Sequence, residues 1–468
     1  MKSFIPYLFC LILPSMATSP LMAETRSTAN DQTRLQLTVY NAGRALVKDQ
    51  RIIQLTQAEQ RIAFMDVAEQ IMPQTVAIKG LDVLEQNYDF DLLSPQALIN
   101  KNIGKKVRIA RRSSDSGETL EWQQGIILST NGGVILKMND GSLESLNANT
   151  NYHIVFDEVP DNLRTSPTLS LLLKQPVTGR QQVDMTYLTG GLSWQSDYVL
   201  QLDQSETVAE LDSWVTLNNQ SGIDYKNAHL QLLAGDVNLQ SKQPRAVARM
   251  ERMMLQSDSM GEIQEQALHG YHLYTVPHQT TINNKQSKQI KLFSSNGITV
   301  SKKLQDQAYV DVQAIQPQKS KPEQFLLFKN ASPALGLPLP KGTIRVYAYD
   351  DNGQQQFIGE DRINHSAVND NIEIKLGKSF DISLQRKTTQ FRQLSKKQQQ
   401  IKREITINNG SDKTQVLKLS EIMPSRDWSI QQSSHDHQQG SPSVADFTLT
   451  LPAQTEIIVD YQVVVSYP

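Results

Sequence analysis

The chain has 468 residues, with 46 Lys and Arg against 48 Asp and Glu and a formal net charge of −2. This near-neutral balance argues against a nucleic-acid-binding protein, which should present a strongly basic face. The length is sufficient for two to four domains.

The N-terminus has the three parts of a secretory signal peptide. Lys2 supplies the positive charge, residues 4–17 are mostly apolar but too short to span a bilayer, and Ala23 ends a cleavage site. We predict that residues 1–23 are cleaved, with an uncleaved anchor as the alternative, so that the mature protein is periplasmic or secreted. Cleavage would remove Cys10, the only cysteine, and with it any internal disulfide. No later apolar run is long enough to predict a transmembrane segment.

Apolar and polar residues alternate through most of the chain, which is the period of a β-strand. The clearest series places on one face Ile457, Val459, Tyr461, Val463, Val465 and Tyr467. Asn-Gly pairs between such runs, for example Asn296-Gly297 and Asn352-Gly353, predict hairpin turns. The sequence therefore predicts an all-β fold of several modules, with immunoglobulin-like β-sandwich domains and a small SH3-like barrel.

Changes in pattern suggest the module boundaries. We predict an N-terminal β domain over residues 24–95, the small barrel over 101–158, a central β-sandwich domain over 160–378 and a C-terminal immunoglobulin-like sandwich over 379–468. Residues 240–270 are rich in Met, Gln and Ser and lack a clear period, so we expect a mobile insertion there. The short basic run over residues 104–112 is typical of a solvated strand face.

Two packing hypotheses follow from the apolar positions. The barrel should share one core formed by Val107, Ile109, Ile126, Leu128, Val134, Leu136, Ile154 and Phe156. In the central domain, residues 214–218 and 228–233 should be neighbouring strands of one sandwich, with Asn218 and Ser221 bonded to the turn backbone between them.

A weak internal repeat supports the sandwich interpretation. Residues 215–221 (VTLNNQS) match residues 405–411 (ITINNGS) position for position, and residues 327–332 (LFKNAS) are a looser third copy. Each predicts a strand that runs into an Asn/Ser turn, although chance similarity is an alternative for patterns this short.

Several longer segments carry a family resemblance. They are LEQNYDFDLLSP from Leu84, LTGGLSWQSDYVL from Leu188, the run from Trp214 to Asn238, YHLYTVPHQTTI from Tyr271, and LGLPLPKGTIRVY with FIGEDRINH between Leu335 and His365. Together they resemble the bacterial domain-of-unknown-function family four-one-three-nine, which is related to mucoidy-inhibitor-A-like proteins. The resemblance implies an exported, β-rich protein and no assigned activity.

The chain lacks the common signatures of phosphate-binding loops, dinucleotide-binding folds, zinc proteases and serine hydrolases. The run from Asp350 to Gly353 lacks the ligand spacing of a calcium loop and predicts a hairpin turn. The histidine pairs His269/His272 and His435/His437 favour exposed loops over a metal site. We predict no cofactor and no metal.

Three carboxylates remain as weak catalytic candidates: Asp197, Asp236 and Asp361. A carboxylate pair could perform acid–base chemistry, but turn capping or a buried hydrogen bond is the commoner role. Trp194, Trp214 and Trp428 favour packing, with a sugar-stacking platform as the alternative.

Two function classes survive these observations. The favoured hypothesis is an exported, non-enzymatic β-scaffold that binds an envelope partner, either a protein or a glycan. The alternative is an envelope carbohydrate-directed hydrolase with an unrecognised carboxylate site.

Overall fold

The computed structural model describes residues 24–112, 119–146, 152–160, 163–235, 264–312 and 316–468. The chain forms two compact units. Of the described residues, unit 1 contains 24–36, 46–190 and 221–228, and unit 2 contains 37–45, 191–220 and the remainder from 229 to 468. The predicted signal peptide, residues 1–23, and residues 240–263 of the predicted insertion lie outside the described residues.

Strands make up nearly all of the regular structure. The first fifteen are β1 Thr25–Ser27, β2 Gln32–Tyr40, β3 Arg44–Met65, β4 Ala77–Lys79, β5 Val83–Asp89, β6 Lys106–Arg112, β7 Thr119–Ser129, β8 Val134–Met138, β9 Leu143–Leu146, β10 Tyr152–Val155, β11 Thr168–Gly190, β12 Leu192–Leu202, β13 Val208–Asn219, β14 Tyr225–Ala234 and β15 Gln264–Leu268. The next fifteen are β16 Tyr271–Thr275, β17 Thr280–Ile282, β18 Gln286–Tyr309, β19 Gln318–Ser320, β20 Glu323–Lys329, β21 Gly342–Tyr349, β22 Gln355–Ile363, β23 Asn371–Lys378, β24 Ile382–Ser395, β25 Gln398–Asn409, β26 Gln415–Ile422, β27 Asp427–Ser433, β28 Gln438–Ser441, β29 Val444–Leu451 and β30 Thr455–Ser466. The predicted all-β, multi-module fold class is confirmed.

Helices are few and short in the described ranges. The α-helix α1 spans Pro95–Lys101, and two 3-10 helices span Ala29–Asp31 and Pro73–Thr75. None of the described helices is long and apolar enough to cross a membrane.

In unit 1 the long strand β11 is flanked by two shorter antiparallel strands. Its first part pairs with β5 and its later part with β4. Burial alternates strictly from Val183 to Thr189, because successive side chains of a strand point to opposite sides of the sheet. Strand β1 runs parallel to β3, with Thr25 opposite Ile62.

Strands β6 to β10 form an antiparallel sheet in the order β10-β6-β7-β8-β9. One side of this sheet covers a core of Val107, Ile109, Ile127, Leu136, Met138 and Leu146. The sheet order ends at β10 and β9, which do not pair with each other within the described residues. Within the described residues, the module is therefore an open sheet rather than the predicted closed barrel.

The predicted phase of β7 is wrong by one residue. Ile127 is fully buried, whereas Leu128 is 44% exposed. Three consecutive apolar residues fit either phase of a strand, so alternation alone could not choose between them. Gly125 marks the core side, because a Cβ at this position would lie 3.1 Å from Ile109 Cδ1.

This phase predicts unequal effects of two neighbouring substitutions. Ile127→Ala should destabilise the five-stranded sheet by about 2–4 kcal/mol because it opens a cavity in the core. Leu128→Ala should cost less than about 1 kcal/mol. Hydrogen exchange of the β6–β8 amides would measure both effects, and equal losses of protection would contradict the phase.

In unit 2 one sheet runs in the order β22-β21-β12-β13-β18. Strands β12 and β21 are parallel, and the other neighbours are antiparallel. The first half of β18 pairs with β13, and the second half pairs with β20 and β26. The predicted turn at Asn296-Gly297 lies instead inside β18, where Gly297 has a φ of 76° and the register with β13 shifts. A bulge uses the same positive-φ residue as a hairpin turn, which explains the wrong assignment.

The core of this part of unit 2 lies between the β12-β13-β21 strands and the β20-β23 pair. Its members alternate along the strands, and they include Tyr198, Leu200, Leu211, Ile298, Leu326, Ile344, Val346 and Ile374. The Tyr198 hydroxyl lies within this core and donates to the Pro340 carbonyl oxygen at 2.7 Å.

The C-terminal part of unit 2 is a second two-layer packing. One sheet has the order β19-β24-β25-β30-β27, and its inner side packs against β26 and β29 around Ile405, Leu419, Phe447 and Val463. The one-face series predicted in β30 is confirmed. Val459, Tyr461, Val463 and Val465 are buried, while Ile457 and Tyr467 pack at the margin of this core.

The expected pairing of residues 214–218 with 228–233 is wrong. Strand β13 pairs with β12 and β18, whereas β14 pairs with β16. The two neighbouring positions of β13 are thus occupied by other strands. The connections from β12 to β13 and from β13 to β14 each contain five residues, so loop length does not distinguish the two candidate partners of β13.

The three repeat copies place one asparagine in the same structural role. Asn219, Asn330 and Asn409 are all fully buried. Each side-chain amide donates to backbone carbonyls of neighbouring segments, namely Ile282 for the first, Leu337 and Ala367 for the second, and Lys413, Leu451 and Pro452 for the third. The position that the three copies share is therefore the second asparagine, which is Asn219 in the first copy rather than the predicted Asn218. Its side chain faces inward and bonds the strand end to adjacent loops.

Asn409 provides a direct test of this role. Asn409→Ala should lower the free energy of unfolding by about 3 kcal/mol, because it leaves buried carbonyls without donors. The adjacent, exposed Asn408 is the matched control, and Asn408→Ala should change stability by less than about 0.5 kcal/mol. Thermal and chemical unfolding would compare the two variants, and similar losses would refute the role of the buried amide.

Candidate binding face

The sheet β22-β21-β12-β13-β18 has one buried side and one solvent side. On β12 every second residue from Leu192 to Leu202 is buried, and the intervening residues face outward. We call the solvent side of these five strands the outer face. The side chains on this face include Asp197, Gln201, Asp212, Trp214, Thr216, Lys291, Arg345, Tyr347, Phe357 and Glu360.

Trp214 is the half-buried centre of the outer face. It lies directly opposite Asp197 on β12 and Lys291 on β18. Lys291 Nζ is 5.8 Å from the indole ring centroid, which is a cation–π distance. A register shift beside Ser213 adds one residue to β18, and without it Trp214 would lie opposite the buried Leu292.

A second aromatic pair lies on β21 and β22. Tyr347 and Phe357 are opposite each other, with ring centroids 5.6 Å apart in an edge-to-face arrangement. Phe357 is 55% exposed and Tyr349, two residues beyond Tyr347, is 44% exposed. Here too a register shift, between Val346 and Tyr347, places the two rings together. Bulges often re-aim side chains beside functional sites.

Hydrogen-bonded ion pairs connect these aromatic groups. Asp197 accepts from Thr216 Oγ1 at 2.7 Å and from an Arg345 guanidinium nitrogen at 3.2 Å. Arg345 Nε is also 3.2 Å from a Glu360 carboxylate oxygen. Gln355 on β22 donates to Gln201 on β12. The planar polar groups are thereby fixed in position across three strands.

Asp212 extends this network toward β18. Its carboxylate accepts from Ser294 and is 2.9 Å from Lys291 Nζ. The hydrogen bond from Ser294 and the ammonium of Lys291 both lower the pKa of Asp212, against a smaller opposing effect of desolvation. Asp212 therefore stays charged and holds the lysine beside the indole ring.

Two of the three weak catalytic candidates, Asp197 and Asp361, lie in the described part of the chain, on opposite sides of the sheet. Asp197 is opposite Thr343 in the sheet, and Asp361 is opposite Ile344. Adjacent positions point to opposite sides, so Asp197 lies on the outer face and Asp361 on the inner side. Asp361 accepts from the Lys375 amide at 2.8 Å, which joins β22 to β23. Asp236 lies outside the described residues.

The histidine pairs have ordinary local roles. His272 Nδ1 is 2.7 Å from Glu265 on the neighbouring strand, and His269 has a φ of 49° in the β15–β16 turn. His437 contacts the Phe447 ring at 5.9 Å between centroids. No cluster of three or more potential metal ligands occurs among the described residues.

Asp350 occupies the predicted hairpin turn. It accepts from the amides of Asn352 and Gln354. The backbone hydrogen bond from Gln354, followed by the side-chain hydrogen bond from Gln356, lowers the pKa of Asp350.

The other tryptophans are placed differently from Trp214. Trp194 is buried, and its indole nitrogen donates to the Val39 carbonyl oxygen at 2.9 Å. Trp428 is half-buried at the edge of the C-terminal core and donates to the Pro442 carbonyl oxygen. Neither indole contributes to the outer face.

Sequence analysis missed a buried ionic cluster in the C-terminal part of unit 2. Arg386, Arg403 and Glu421 are at most 2% exposed. Glu421 is 2.7 Å from Arg386 Nε and 3.4 Å from Arg403 Nε, and it accepts from the Tyr461 hydroxyl at 2.8 Å. Burial opposes the charge of Arg386, but Glu421 and Asp306 outweigh it and raise the pKa of this arginine. Opposite charges thus compensate one another in the interior.

A smaller pair occupies unit 1. Arg51 Nε and a terminal guanidinium nitrogen bind Asp49 at 3.1 and 2.9 Å, and the other terminal nitrogen donates to the Ser27 carbonyl oxygen. In both the C-terminal cluster and this pair, the buried charged residues alternate with apolar residues along their strands and occupy inward positions. Arginine at an inward position of a strand was the only available signal, and a sequence alone does not supply its partner.

The outer face combines aromatic and polar side chains. Its aromatic rings offer apolar area, and its fixed carboxylate, guanidinium and amide groups offer donors and acceptors. Asp197 and Glu360 each contact the same arginine rather than forming an acid–base pair. This arrangement can hold a polar ligand, and the hydrogen bonds from Thr216 to Asp197 and from Ser294 to Asp212 hold its carboxylates in place.

Comparison with known proteins adds one match. The model of the family described as domain of unknown function DUF4139 matches residues 183–468, which include every strand of the outer face. A search of the curated proteins finds no match. Because the family model covers more than half of the chain, this protein belongs to the DUF4139 family.

Proposed function

We propose that this protein is an exported, non-catalytic β-scaffold that binds an envelope glycan through the outer face. The observation that supports this function most directly is the row from Trp214 to Phe357, in which aromatic rings lie among hydrogen-bonded planar polar groups on one side of the sheet. Both aromatic positions coincide with register shifts, so local geometry places the rings there.

A glycan fits the chemistry of this face. Sugar rings present apolar C–H surfaces that can lie against aromatic faces, and hydroxyl groups that exchange hydrogen bonds with carboxylate, amide and guanidinium groups. The charged groups named on the outer face nearly cancel, with three carboxylates (Asp197, Asp212 and Glu360) against two cations (Lys291 and Arg345). This small net charge favours a ligand without strong net charge.

A protein partner is the other envelope ligand for such a scaffold. Protein interfaces usually have an apolar core depleted in charged groups. Here the central Trp214 is flanked by Asp197 and Lys291, which are both charged. This arrangement favours the glycan.

The C-terminal sheet offers a matched control for binding. Its strands β24 and β25 repeat the pairing of β12 and β13 with a constant offset of 190 residues. The pair Asp197–Trp214 corresponds to Lys387–Glu404, an ion pair with no aromatic ring. The proposal therefore assigns binding to the first pair and none to the second.

Removal of the Trp214 ring should weaken glycan binding without unfolding the sheet. We expect Trp214→Ala to raise the Kd for N-acetylglucosamine oligosaccharides about tenfold, because stacked aromatic contact is lost. Isothermal titration calorimetry of the full mature chain would measure this, with pull-down on purified peptidoglycan sacculi as a second probe. Glu404→Ala should leave both measurements unchanged.

Three results would overturn the proposal. They are the absence of any glycan binding by the unaltered chain, equal losses in the Trp214 and Glu404 variants, and release of new reducing ends from the oligosaccharide. The last result would favour a hydrolase, and Asp197→Asn would then test whether this carboxylate is required. Thermal unfolding of each variant separates lost binding from lost structure.

Export gives a separate prediction. The proposed leader ends at Ala23, so the mature chain should begin at Glu24. Mass spectrometry of the N-terminal peptide from the native cell envelope should detect Glu24 as the first residue. Recovery of the chain from the cytoplasm with Met1 intact would contradict export.

A further inference from the structure

The five-stranded sheet of unit 1 exposes apolar residues on the side opposite its core. We call this side the small-sheet face. Trp122 on β7 and Leu143 on β9 are 57% and 67% exposed. Ile126 and Ile135 lie between them on the same side and are half-buried. A solvent side with this much clustered apolar area is unusual for a surface without a ligand or partner.

Positive charges are interleaved with these apolar residues. Lys106 and Lys137 are both opposite Ile126 on the neighbouring strands, and both are exposed. Arg108 lies two residues from Lys106, with its guanidinium carbon 5.8 Å from the Trp122 ring centroid. Asp157 pairs with Arg108, so three cations and one carboxylate are grouped at this face.

We propose that the small-sheet face rests on an anionic lipid surface. Indole rings favour the boundary between water and hydrocarbon, because they have an apolar body and one N–H donor. Leu143, which is level with Ile126 and separated from it by Lys137, would enter the same boundary. Lysine and arginine stems can lie along apolar surface while their charges reach lipid phosphates. The face supplies all three components on one side of one sheet.

The charge of this face distinguishes a lipid surface from the glycan proposed above. The whole chain has a formal charge of −2, whereas the small-sheet face has an excess of cations. Complementarity therefore selects an anionic surface. This inference does not depend on the outer face, because the two faces are formed by different sheets.

The test uses the full mature chain and vesicles of phosphatidylglycerol mixed with phosphatidylcholine. We expect cosedimentation with these vesicles and at least tenfold weaker binding to pure phosphatidylcholine or in high salt. Lys106→Gln and Lys137→Gln should each reduce partitioning about fivefold. The double variant Trp122→Ser/Leu143→Ser should also lose binding, through its apolar contribution.

A matched variant controls for loss of any exposed apolar and basic group. Val416 is 55% exposed on β26 in unit 2, and Lys413 is exposed nearby. Val416→Ser/Lys413→Gln should bind vesicles as the unaltered chain does. Thermal unfolding should show that all variants remain folded.

Depth-dependent quenching gives a second readout. Brominated phosphatidylglycerol should quench the Trp122 fluorescence, and the quenching should disappear in Trp122→Phe while vesicle binding is retained. Absence of vesicle binding, equal binding to neutral vesicles, or equal losses in the control variant would overturn the proposal. Unchanged oligosaccharide binding by the Lys137 and Trp122 variants would show that the two faces act separately.

Discussion

Alternating burial is the constraint on which this structure depends. In unit 2, β12 and β13 commit every second side chain to a core, from Leu192 to Leu202 and from Ala209 to Asn219. The buried residues fix the register, since a slip of one position would expose all of them. The intervening residues are then free to vary without loss of the core. Bulges at Trp214 and at Tyr347 act within this frame, because an added residue changes which side chains meet across the sheet while the cores on either side are retained.

The repeated modules show how the two sides of one frame diverge. Asn219 and Asn409 end equivalent strands and are tied to loops by the same type of side-chain hydrogen bond. On the inner side, Ser196 and Ser213 of the central sheet correspond to Arg386 and Arg403 of the C-terminal sheet. On the outer side, the pair Asp197–Trp214 corresponds to the ion pair Lys387–Glu404. The shared backbone frame therefore does not predict a shared ligand, and Trp214 distinguishes the central sheet from the C-terminal sheet at this position.

The sequence predicted strands well where the alternation of apolar and polar residues fitted only one phase of the strand. The series from Val459 to Val465 in β30 is an example, because polar residues separate the apolar ones for most of its length. The phase of β7 could not be chosen from Ile126, Ile127 and Leu128, and the structure had to supply the neighbours of Gly125. Strand partners were harder still, because β13 could accept either β12 or β14 by composition. The candidate site was found only in part: Asp197 and Trp214 were noted separately, but their direct opposition depends on a register that no local pattern specifies.

The buried ionic cluster clarifies why inward charge need not indicate catalysis. Arg386 and Arg403 lie at positions where a strand normally places apolar residues, and each contacts Glu421. Desolvation makes an unpaired charge there very costly, so the cluster is tolerated only because its members compensate one another. Burial is also the main cause that raises the pKa of Tyr461 well above its usual range, with the charge of Glu421 adding to it. The tyrosine thus stays protonated and donates to Glu421. A perturbed tyrosine beside a carboxylate can resemble an active site, but this one is fully enclosed and faces no solvent-accessible surface. The outer face has the reverse properties, with modest burial, fixed polar groups and open access, and these are the properties that binding requires.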